Sequence, residues 1–309
     1  MSESFTARLP LSRFEIDRDD VGRSRENLFD ELWADPATRV LVVFEGNALL
    51  ATPTTLALLP TAAIERPELI VYLGRSTSTT SPEPVGTPIV VAQLLDAGHL
   101  VESEWGNLRR LGTLLSDRDA GLLTEALAIL NWHASHQFSP RTGAPTVVER
   151  GGWVRRDPVS GTEVFPRTDP AVIVGVTDAD DRLLLGSNAL WESNRYSLLA
   201  GFVEPGESLE SAVAREIFEE AGIRVVDPVY LGSQPWPFPA SLMLGYSAKV
   251  DPAFGNDLTP DGTEILDLRW FSREELAASL DEILLPGPTS IARAIIEEWF
   301  GGPIDDGAR

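Results

Sequence analysis

A loop that runs into a short, acid-rich helix at Gly201–Ile223 constrains the fold of this 309-residue chain more than any other segment. Ser208 is a suitable N-cap residue and Gly222 a suitable glycine just past the end, so the sequence predicts a helix over 209–221. At about 100° per residue, its apolar side chains share one side and three glutamates share an arc of about 100°. These glutamates are Glu216, Glu219 and Glu220. One face of the helix must pack on a core while another presents carboxylates.

The glutamate cluster favours a bound cation. Like charges three or four residues apart destabilise a helix by roughly 0.2–0.5 kcal/mol per pair, so a positive ion would stabilise this face. Carboxylate oxygens in this number suit Mg²⁺ or Mn²⁺. Taken alone, three glutamates also fit an ordinary solvated acidic surface, and only the residues around them favour the metal site.

The whole segment resembles the Nudix box, a motif of the form G-x5-E-x7-R-E-U-x-E-E-x-G-U in which U is a large aliphatic residue. All nine fixed positions match over 23 residues, and they are Gly201, Glu207, Arg215, Glu216, Ile217, Glu219, Glu220, Gly222 and Ile223. The resemblance implies a Nudix α/β/α sandwich in which the box glutamates hold divalent metal ions at a substrate pyrophosphate.

The same resemblance assigns roles to individual residues. The metal ligands that it implies are Glu216, Glu219, Glu220 and Glu264. Glu219 or Glu220 is implied as the base that activates the attacking water. The structural positions of the box are Gly201, Glu207, Arg215 and Gly222, of which Glu207 and Arg215 resemble braces of the loop.

A second motif, SQPWPFPAS at Ser233–Ser241, narrows the substrate. Its alternating prolines hold the chain extended and leave Trp236 and Phe238 as rigid aromatic faces. On its own the pattern also fits a proline-rich turn with aromatic residues in the core. The motif resembles the signature SQPWPFPxS of NADH pyrophosphatases, which implies NADH or NAD as the substrate.

The resemblance also implies a substrate pocket. Phe202 would stack on a base, and the backbone around Ala292 would help to complete the pocket. Phe165 stands where relatives often carry tyrosine, so only a stacking role carries over to it. The implied substrate-binding set is Phe165, Phe202, Ser233, Gln234, Trp236, Ser241 and Ala292.

The pattern of apolar residues and of Pro, Gly and Thr clusters divides the chain into three parts. Residues 1–130 alternate short apolar runs with Pro, Gly and Thr clusters, which indicates a strand-rich domain. Residues 131–167 lack apolar periodicity and are predicted to form an irregular connector. Residues 168–309 open with apolar runs at 171–177 and 182–186, which predict a hairpin of buried strands. The predicted class is α/β (α+β): a Nudix α/β/α sandwich preceded by a strand-rich domain and a short irregular connector.

Further elements are predicted in the carboxyl-terminal part. Strands are expected at 198–203, 225–232, 241–250 and 265–271, and a helix from about 289 to 300. Ser272 followed by Glu275 is a capping-box pattern that opens a short helix after the last strand.

Relatives of this architecture often carry a four-cysteine zinc ribbon in the connector, but this chain contains no cysteine. Aligned outward from the flanking motifs, the cysteine positions hold Ser139, Thr142, Asp157 and Ser160. Hydroxyls are poor zinc ligands and one aspartate cannot replace thiolates, so no structural zinc is predicted. We expect the connector to be ordered by packing through Gly151, Gly152 and Trp153, with Trp153 as its anchor.

Composition limits location and partners. The first residues lack the apolar stretch of a secretory signal, and no apolar run reaches the roughly 18 residues that span a membrane, so a cytoplasmic protein is predicted. The formal net charge of −22 argues against holding long nucleic acid on a broad basic surface. A homodimer is implied by the resemblance alone.

The sequence therefore predicts an NADH/NAD⁺ diphosphatase that yields NMN(H) and AMP with Mg²⁺ or Mn²⁺ as cofactor. Removal of NAD caps from RNA 5′ ends is a second activity that the resemblance implies. Two alternatives stay open: a Nudix hydrolase that prefers another nucleoside diphosphate derivative such as ADP-ribose, and an inactive nucleotide-sensing Nudix module. An inactive module has no need to keep all four carboxylates, which favours an enzyme.

Overall fold

The computed structural model describes residues 4–192 and 194–307, which fall into two compact units. The first unit is formed by Arg13–Thr168 together with Trp236–Ala240. The second is formed by Asp169–Pro235 and the described residues from Ser241 onward, together with those up to Ser12. Neither unit is a continuous stretch of chain.

An eight-stranded sheet is the framework of the first unit. Its strands are β1 (Ile16–Asp17), β2 (Arg39–Phe44), β3 (Asn47–Thr52), β4 (Thr55–Leu56), β5 (Leu58–Pro60), β6 (Ile70–Ser76), β7 (Pro88–Leu94) and β8 (Trp105–Gly106). Its helices are α1 (Leu28–Ala34), α2 (Leu108–Leu111) and α3 (Asp117–Ser135). The order is β1-β6-β7-β2-β3-β4, while β5 pairs with β2 and β8 with β3. Leu28 and Leu32 of α1 share a buried cluster with Val40 and Val42 of β2.

The segment after α3 holds a three-stranded antiparallel sheet in the order β11-β10-β9. Its strands are β9 (Val147–Glu149), β10 (Val154–Arg156) and β11 (Glu163–Val164). The indole Nε1 of Trp153 donates to the carbonyl of Tyr72 on β6 at 2.8 Å. A side chain on Gly152 would collide with Val71 of the same strand. The segment packs on β6 through Gly152 and Trp153, two of the residues predicted to order it, although it is more regular than its sequence indicates.

A six-stranded sheet forms the centre of the second unit. Its strands are β12 (Asp169–Thr177), β13 (Leu183–Asn188), β14 (Leu199–Phe202), β15 (Val225–Trp236), β16 (Ser241–Val250) and β17 (Ile265–Phe271). Its helices are α4 (Leu209–Ala221), α5 (Arg273–Ser279) and α6 (Ile291–Phe300). The order is β15-β16-β12-β13-β17, with β14 also paired to β12. Strands β12 and β16 are parallel.

Strand β12 shows why the second unit has three layers. Its alternate side chains point to opposite faces of the sheet. Val172 and Val174 lie in a buried cluster with Ile217 of α4, while Ile173 lies in another with Ile295 of α6. Helices therefore cover both faces, and the predicted α/β/α sandwich is confirmed.

Most predicted elements of the second unit are confirmed, including the helix over 209–221 and the capping box at Ser272. The hairpin of buried strands predicted at 171–177 and 182–186 is confirmed, since β12 and β13 are antiparallel neighbours in the sheet. Their pairing is short and lies next to the turn, at Thr177 and Leu183, because β14 pairs along Ala171–Val174 of β12. Along the rest of its length β13 pairs with β17. Each helix of the described residues is too short or too polar to cross a membrane.

Candidate active site

Helix α4 presents the predicted carboxylates in a fixed orientation. Ser208 caps its start by accepting the backbone N–H of Ser211 at 3.2 Å, and Gly222 ends it in the left-handed conformation with φ of 72°. The residues of its apolar face are buried against the sheet, and they are Ala212, Val213, Ile217 and Ala221. Because this face is held, the helix cannot rotate, and the direction of its glutamates is set.

Arg215 ties the loop to the helix. Its Nε and Nη2 both donate to the Glu207 carboxylate, the former at 3.1 Å, and Nη2 also donates to the carbonyl of Phe202 at 2.9 Å. Its Nη1 donates to Glu216 at 2.8 Å and to Glu219 at 3.0 Å. The hydrogen bonds between Arg215 and Glu207 raise the pKa of the guanidinium above its ordinary value. They also lower the pKa of the Glu207 carboxyl below its ordinary value.

Gly201 allows strand β14 to approach helix α4 closely. A Cβ atom at this position would lie within the carboxylate of Glu216. Burial raises the pKa of that carboxyl group, while its hydrogen bond to Arg215 acts in the opposite direction. Glycine at position 201 thus leaves the space that the Glu216 side chain occupies, although the two residues are fifteen positions apart in the sequence.

Glu220 carries a buried carboxylate with an unpaired oxygen. The residue is only 6% exposed, and its Oε2 has no hydrogen-bond partner among the residues that the structure describes. Burial, followed by the charges of Glu216, Glu264 and Asp261, raises the pKa of Glu220 to about 8. A buried oxygen without a partner among like charges is costly. A cation between these carboxylates would remove that cost.

Asp261 is a carboxylate of this site that sequence reasoning missed. It accepts hydrogen bonds from the Thr263 hydroxyl at 2.6 Å and from the backbone N–H of Ile265 at 2.7 Å, and these contacts lower its pKa to about 2. The resulting turn positions Glu264, whose Oε1 accepts a hydrogen bond from Asn188 at 3.3 Å. The sequence contains the signal, because an aspartate followed by Gly-Thr is typical of such a turn.

The predicted carboxylates do not form a metal cage in this structure. In residues 4–192 and 194–307, no group of three or more His, Cys, Asp or Glu side chains is spaced to hold a metal ion. Instead, Arg215 supplies positive charge to Glu216 and Glu219. The unpaired oxygen of Glu220 and the all-oxygen donor set nevertheless fit a divalent cation of the Mg²⁺ class.

The predicted substrate residues of the second unit differ in exposure. Phe202 on β14 is 57% exposed. Gln234 on β15 is fully buried: its Oε1 accepts the N–H of Leu11 at 3.2 Å, and its Nε2 donates to the carbonyl of Thr289 at 3.0 Å. In the structure this side chain links internal backbone, and its expected contact with a ligand stays a prediction.

The three other predicted residues of this unit lie at element ends or in the sheet. The carbonyl of Ser233 accepts the hydroxyl of Ser12 at 2.7 Å, and Ser241 is the first residue of β16. Ala292 is buried in the first turn of α6, where its N–H donates to the capping hydroxyl of Ser290 at 3.1 Å. The methyl group of Ala292 belongs to the core, so only the backbone around it can serve a substrate.

Trp236, at the end of β15, clusters with the first unit, where Arg109 holds the aromatic pair of the second motif. The rings of Trp236 and Phe238 lie 5.0 Å apart, edge to face, and the guanidinium of Arg109 lies 4.9 Å and 3.8 Å from their centroids. Asn131 donates to two proline carbonyls of the motif at 2.9 Å and 3.1 Å. Sequence reasoning missed Arg109 and Asn131, which lie on α2 and α3. Phe165, also in this unit, is 58% exposed.

Three family models match consecutive parts of the chain: an NADH pyrophosphatase-like rudimentary NUDIX domain over 37–132, an NADH pyrophosphatase zinc ribbon domain over 134–165 and a NUDIX domain over 166–290. The chain is 41% identical over 313 residues to the NAD-capped RNA hydrolase NudC of Mycobacterium bovis, covering 94% of each chain. It is 38% identical over 215 residues to the protein of that name from Stutzerimonas stutzeri, covering 70% of this chain and 74% of that one.

The layered fold and the braced loop and helix define the class of protein, which is a Nudix hydrolase. Because the identity with the mycobacterial protein extends over nearly the full length of both chains, this chain belongs to the NADH pyrophosphatase subfamily of the Nudix hydrolases. It is a variant without cysteine. The family predicted from Gly201–Ile223 and Ser233–Ser241 is confirmed.

We expect Gly201→Ala to impair hydrolysis while the protein stays folded. The added methyl group would displace the Glu216 carboxylate from β14 and from Arg215. Misplacement of site groups by about 1 Å costs up to about a hundredfold in rate, so kcat should fall by at least about tenfold. Gly302→Ala is the matched control, since a Cβ there meets nothing within 4 Å. Equal kcat for both variants would contradict the role of the close approach.

Proposed function

We propose that this protein hydrolyses the pyrophosphate bond of NADH or NAD to give NMN(H) and AMP, and that it also removes NAD caps from RNA. The observation that carries this proposal is the buried, unpaired carboxylate of Glu220 on a helix braced by Arg215. The nearly full-length relative named as a NAD-capped RNA hydrolase supports NAD as the substrate moiety. The motif at Ser233–Ser241 supports the same choice.

Mg²⁺ or Mn²⁺ is the proposed cofactor. Its ligands would be Glu216, Glu219, Glu220 and Glu264, with Asp261 close by. When bound, such an ion supplies neutralisation of phosphate charge and lowers the pKa of a bound water. Arg215 holds the carboxylates of Glu216 and Glu219 in place and balances part of their charge.

In the proposed reaction a water oxygen attacks one phosphorus atom, and the bond from that atom to the bridging oxygen breaks. The two products leave as phosphomonoesters, and a glutamate of α4 accepts the proton of the water. Glu219 has a side chain that is 57% exposed and already hydrogen-bonded to Arg215. Glu220 is buried with Oε2 free. Both are candidates for the base.

Two kinds of residue are proposed to recognise the substrate: aromatic residues that stack on it, and residues that hold the surrounding backbone in place. The exposed ring of Phe202 would stack on a base, and Phe165 would provide a second aromatic face. Trp236 would favour the nicotinamide dinucleotide. Gln234 would act from within, because its amide fixes the carbonyl of Thr289 just ahead of α6. Ser233, Ser241 and the backbone at Ala292 complete the proposed set.

The remaining proposals concern the whole protein. We propose a cytoplasmic homodimer in which residues 168–309 carry the chemistry, and residues 1–130 and the connector at 131–167 support it. We propose that the chain holds no structural zinc, because the matched ribbon segment has no cysteine.

Product analysis tests the substrate assignment. The protein should be incubated with NADH, NAD, ADP-ribose and a diphospho-sugar in Mn²⁺, and the products separated. We expect AMP with NMNH or NMN as the main products, formed faster than products from the other two compounds. Faster cleavage of ADP-ribose would shift the assignment to that substrate, and no cleavage of any compound would favour a nucleotide sensor.

Substitution of the two candidate bases tests the carboxylate site. Glu219→Gln and Glu220→Gln should each lower kcat by at least about a hundredfold, because each removes a charge from the site that stabilises the transition state. Glu210→Gln, on an exposed part of the same helix, is the control and should retain activity. Wild-type turnover by both variants would show that the chemistry lies elsewhere.

Trp236→Ala tests selectivity. Loss of a stacking partner costs roughly 1–3 kcal/mol. We therefore expect kcat/KM to fall more for NADH than for ADP-ribose, which has no nicotinamide ring. Trp33→Ala, which removes an indole from α1, should leave the ratio of the two values unchanged. An equal fall in kcat/KM for both substrates would show that the motif has a structural role only and does not select the substrate.

A further inference from the structure

Asp157 is the centre of a hydrogen-bonded cluster within the segment matched by the zinc ribbon model. Its Oδ2 accepts three hydroxyl groups, those of Ser139 at 2.7 Å, Thr142 at 2.8 Å and Ser160 at 2.7 Å. Asp157 is fully buried. These four residues are the ones that the sequence places at the cysteine positions of a zinc ribbon. All four positions therefore meet at one oxygen atom.

Two turns of matching sequence carry these residues, SPRTG at 139–143 and DPVSG at 157–161. In each turn the first side chain accepts the backbone N–H groups two and three residues ahead, at 3.2 and 3.3 Å in the first turn and at 2.8 and 3.2 Å in the second.

Each turn also closes on a left-handed glycine. Gly143 and Gly161 both have φ of 72°, and their N–H groups donate to the carbonyls of Ser139 and Asp157 at 2.9 and 2.8 Å. The two turns are equivalent halves of one centre, and they differ only in which of them supplies the charge.

The residues of this centre do not fit zinc. A closed zinc site takes four ligands from thiolates, imidazoles and carboxylates, whereas three of the four side chains here are neutral hydroxyls. An ionised carboxylate can only accept hydrogen bonds, so the hydroxyl protons point inward at Asp157. Burial raises the pKa of Asp157, but the hydrogen bonds from Ser160, Ser139 and Thr142 outweigh it and hold the pKa well below its usual range.

We propose that the Asp157 carboxylate takes the place of the structural zinc ion and joins the two turns without a metal. In a zinc ribbon, ligand lone pairs converge on a central cation. In this protein, hydroxyl protons converge on a central anion. The charge at the centre is therefore the opposite of that in a zinc ribbon, but the same four positions are linked. This inference concerns the stability of the first unit and is independent of the proposed substrate.

The first test compares Asp157→Asn with Asp96→Asn in the full-length chain. Asp96 accepts a backbone N–H two residues ahead at 2.9 Å but is exposed, so it is a matched control. We expect Asp157→Asn to lower Tm by at least about 5 °C, since it removes the charge of a buried carboxylate that accepts three hydroxyl hydrogen bonds. Asp96→Asn should leave Tm within about 1 °C. If Asp157→Asn does not fold, Ser160→Ala should fold and lower Tm by about 2 °C. An unchanged Tm in both Asp157→Asn and Ser160→Ala would overturn the proposal.

The second test measures zinc directly. Wild-type protein should contain far less than one zinc per chain, and a zinc-selective chelator should not change its Tm. The four-cysteine variant, which combines Ser139→Cys, Thr142→Cys, Asp157→Cys and Ser160→Cys, should bind one zinc per chain. Its Tm should fall on chelation, because the side chains at these positions already converge on one point. One tightly bound zinc in the wild type, or a folded four-cysteine variant that binds none, would contradict the inference.

Discussion

The guanidinium of Arg215 determines where the carboxylates of the site lie. Arginine presents five N–H donors in one rigid plane, and here that plane reaches three carboxylates and one backbone carbonyl. The loop before α4 and the helix itself are therefore held in one arrangement. A lysine could neutralise charge but could not hold so many acceptors in fixed directions. Mutually repelling groups can stay close together because a single cation of fixed shape lies between them.

Strand alternation explains why a stacking residue lies next to the carboxylates. Neighbouring residues of a strand face opposite sides of a sheet. On β14, Gly201 faces α4 and leaves room for Glu216, while the next residue, Phe202, is exposed. The charged part and the aromatic part of the candidate site are thus set by two consecutive positions of one strand. That strand is in turn held by its pairing with β12.

The sequence predicts the layered fold and the direction of the box glutamates, because helix periodicity and capping residues are local. It does not predict that Glu220 is buried, since that depends on β14 and on a turn some forty residues later. The internal role of Gln234 was missed for the same reason, because its partners Leu11 and Thr289 are distant in the chain. At the connector, the hydroxyl residues read as lost metal ligands. Only their convergence on Asp157 shows that they are partners of a new centre.

Each of the two units is formed by separate stretches of the chain, and this limits how the gene can be recombined. Leu9, close to the amino terminus, lies in the core of the second unit, and the tip at Trp236–Ala240 is counted with the first. A cut near residue 168 would leave two fragments, one without Trp236–Ala240 and the other without the buried side chain of Leu9. The unit that carries the carboxylates therefore cannot be separated from the rest of the chain as one continuous segment. Recombination that exchanged residues 169–309 alone would separate Leu9 from the core to which it belongs, so the two units are expected to be inherited together.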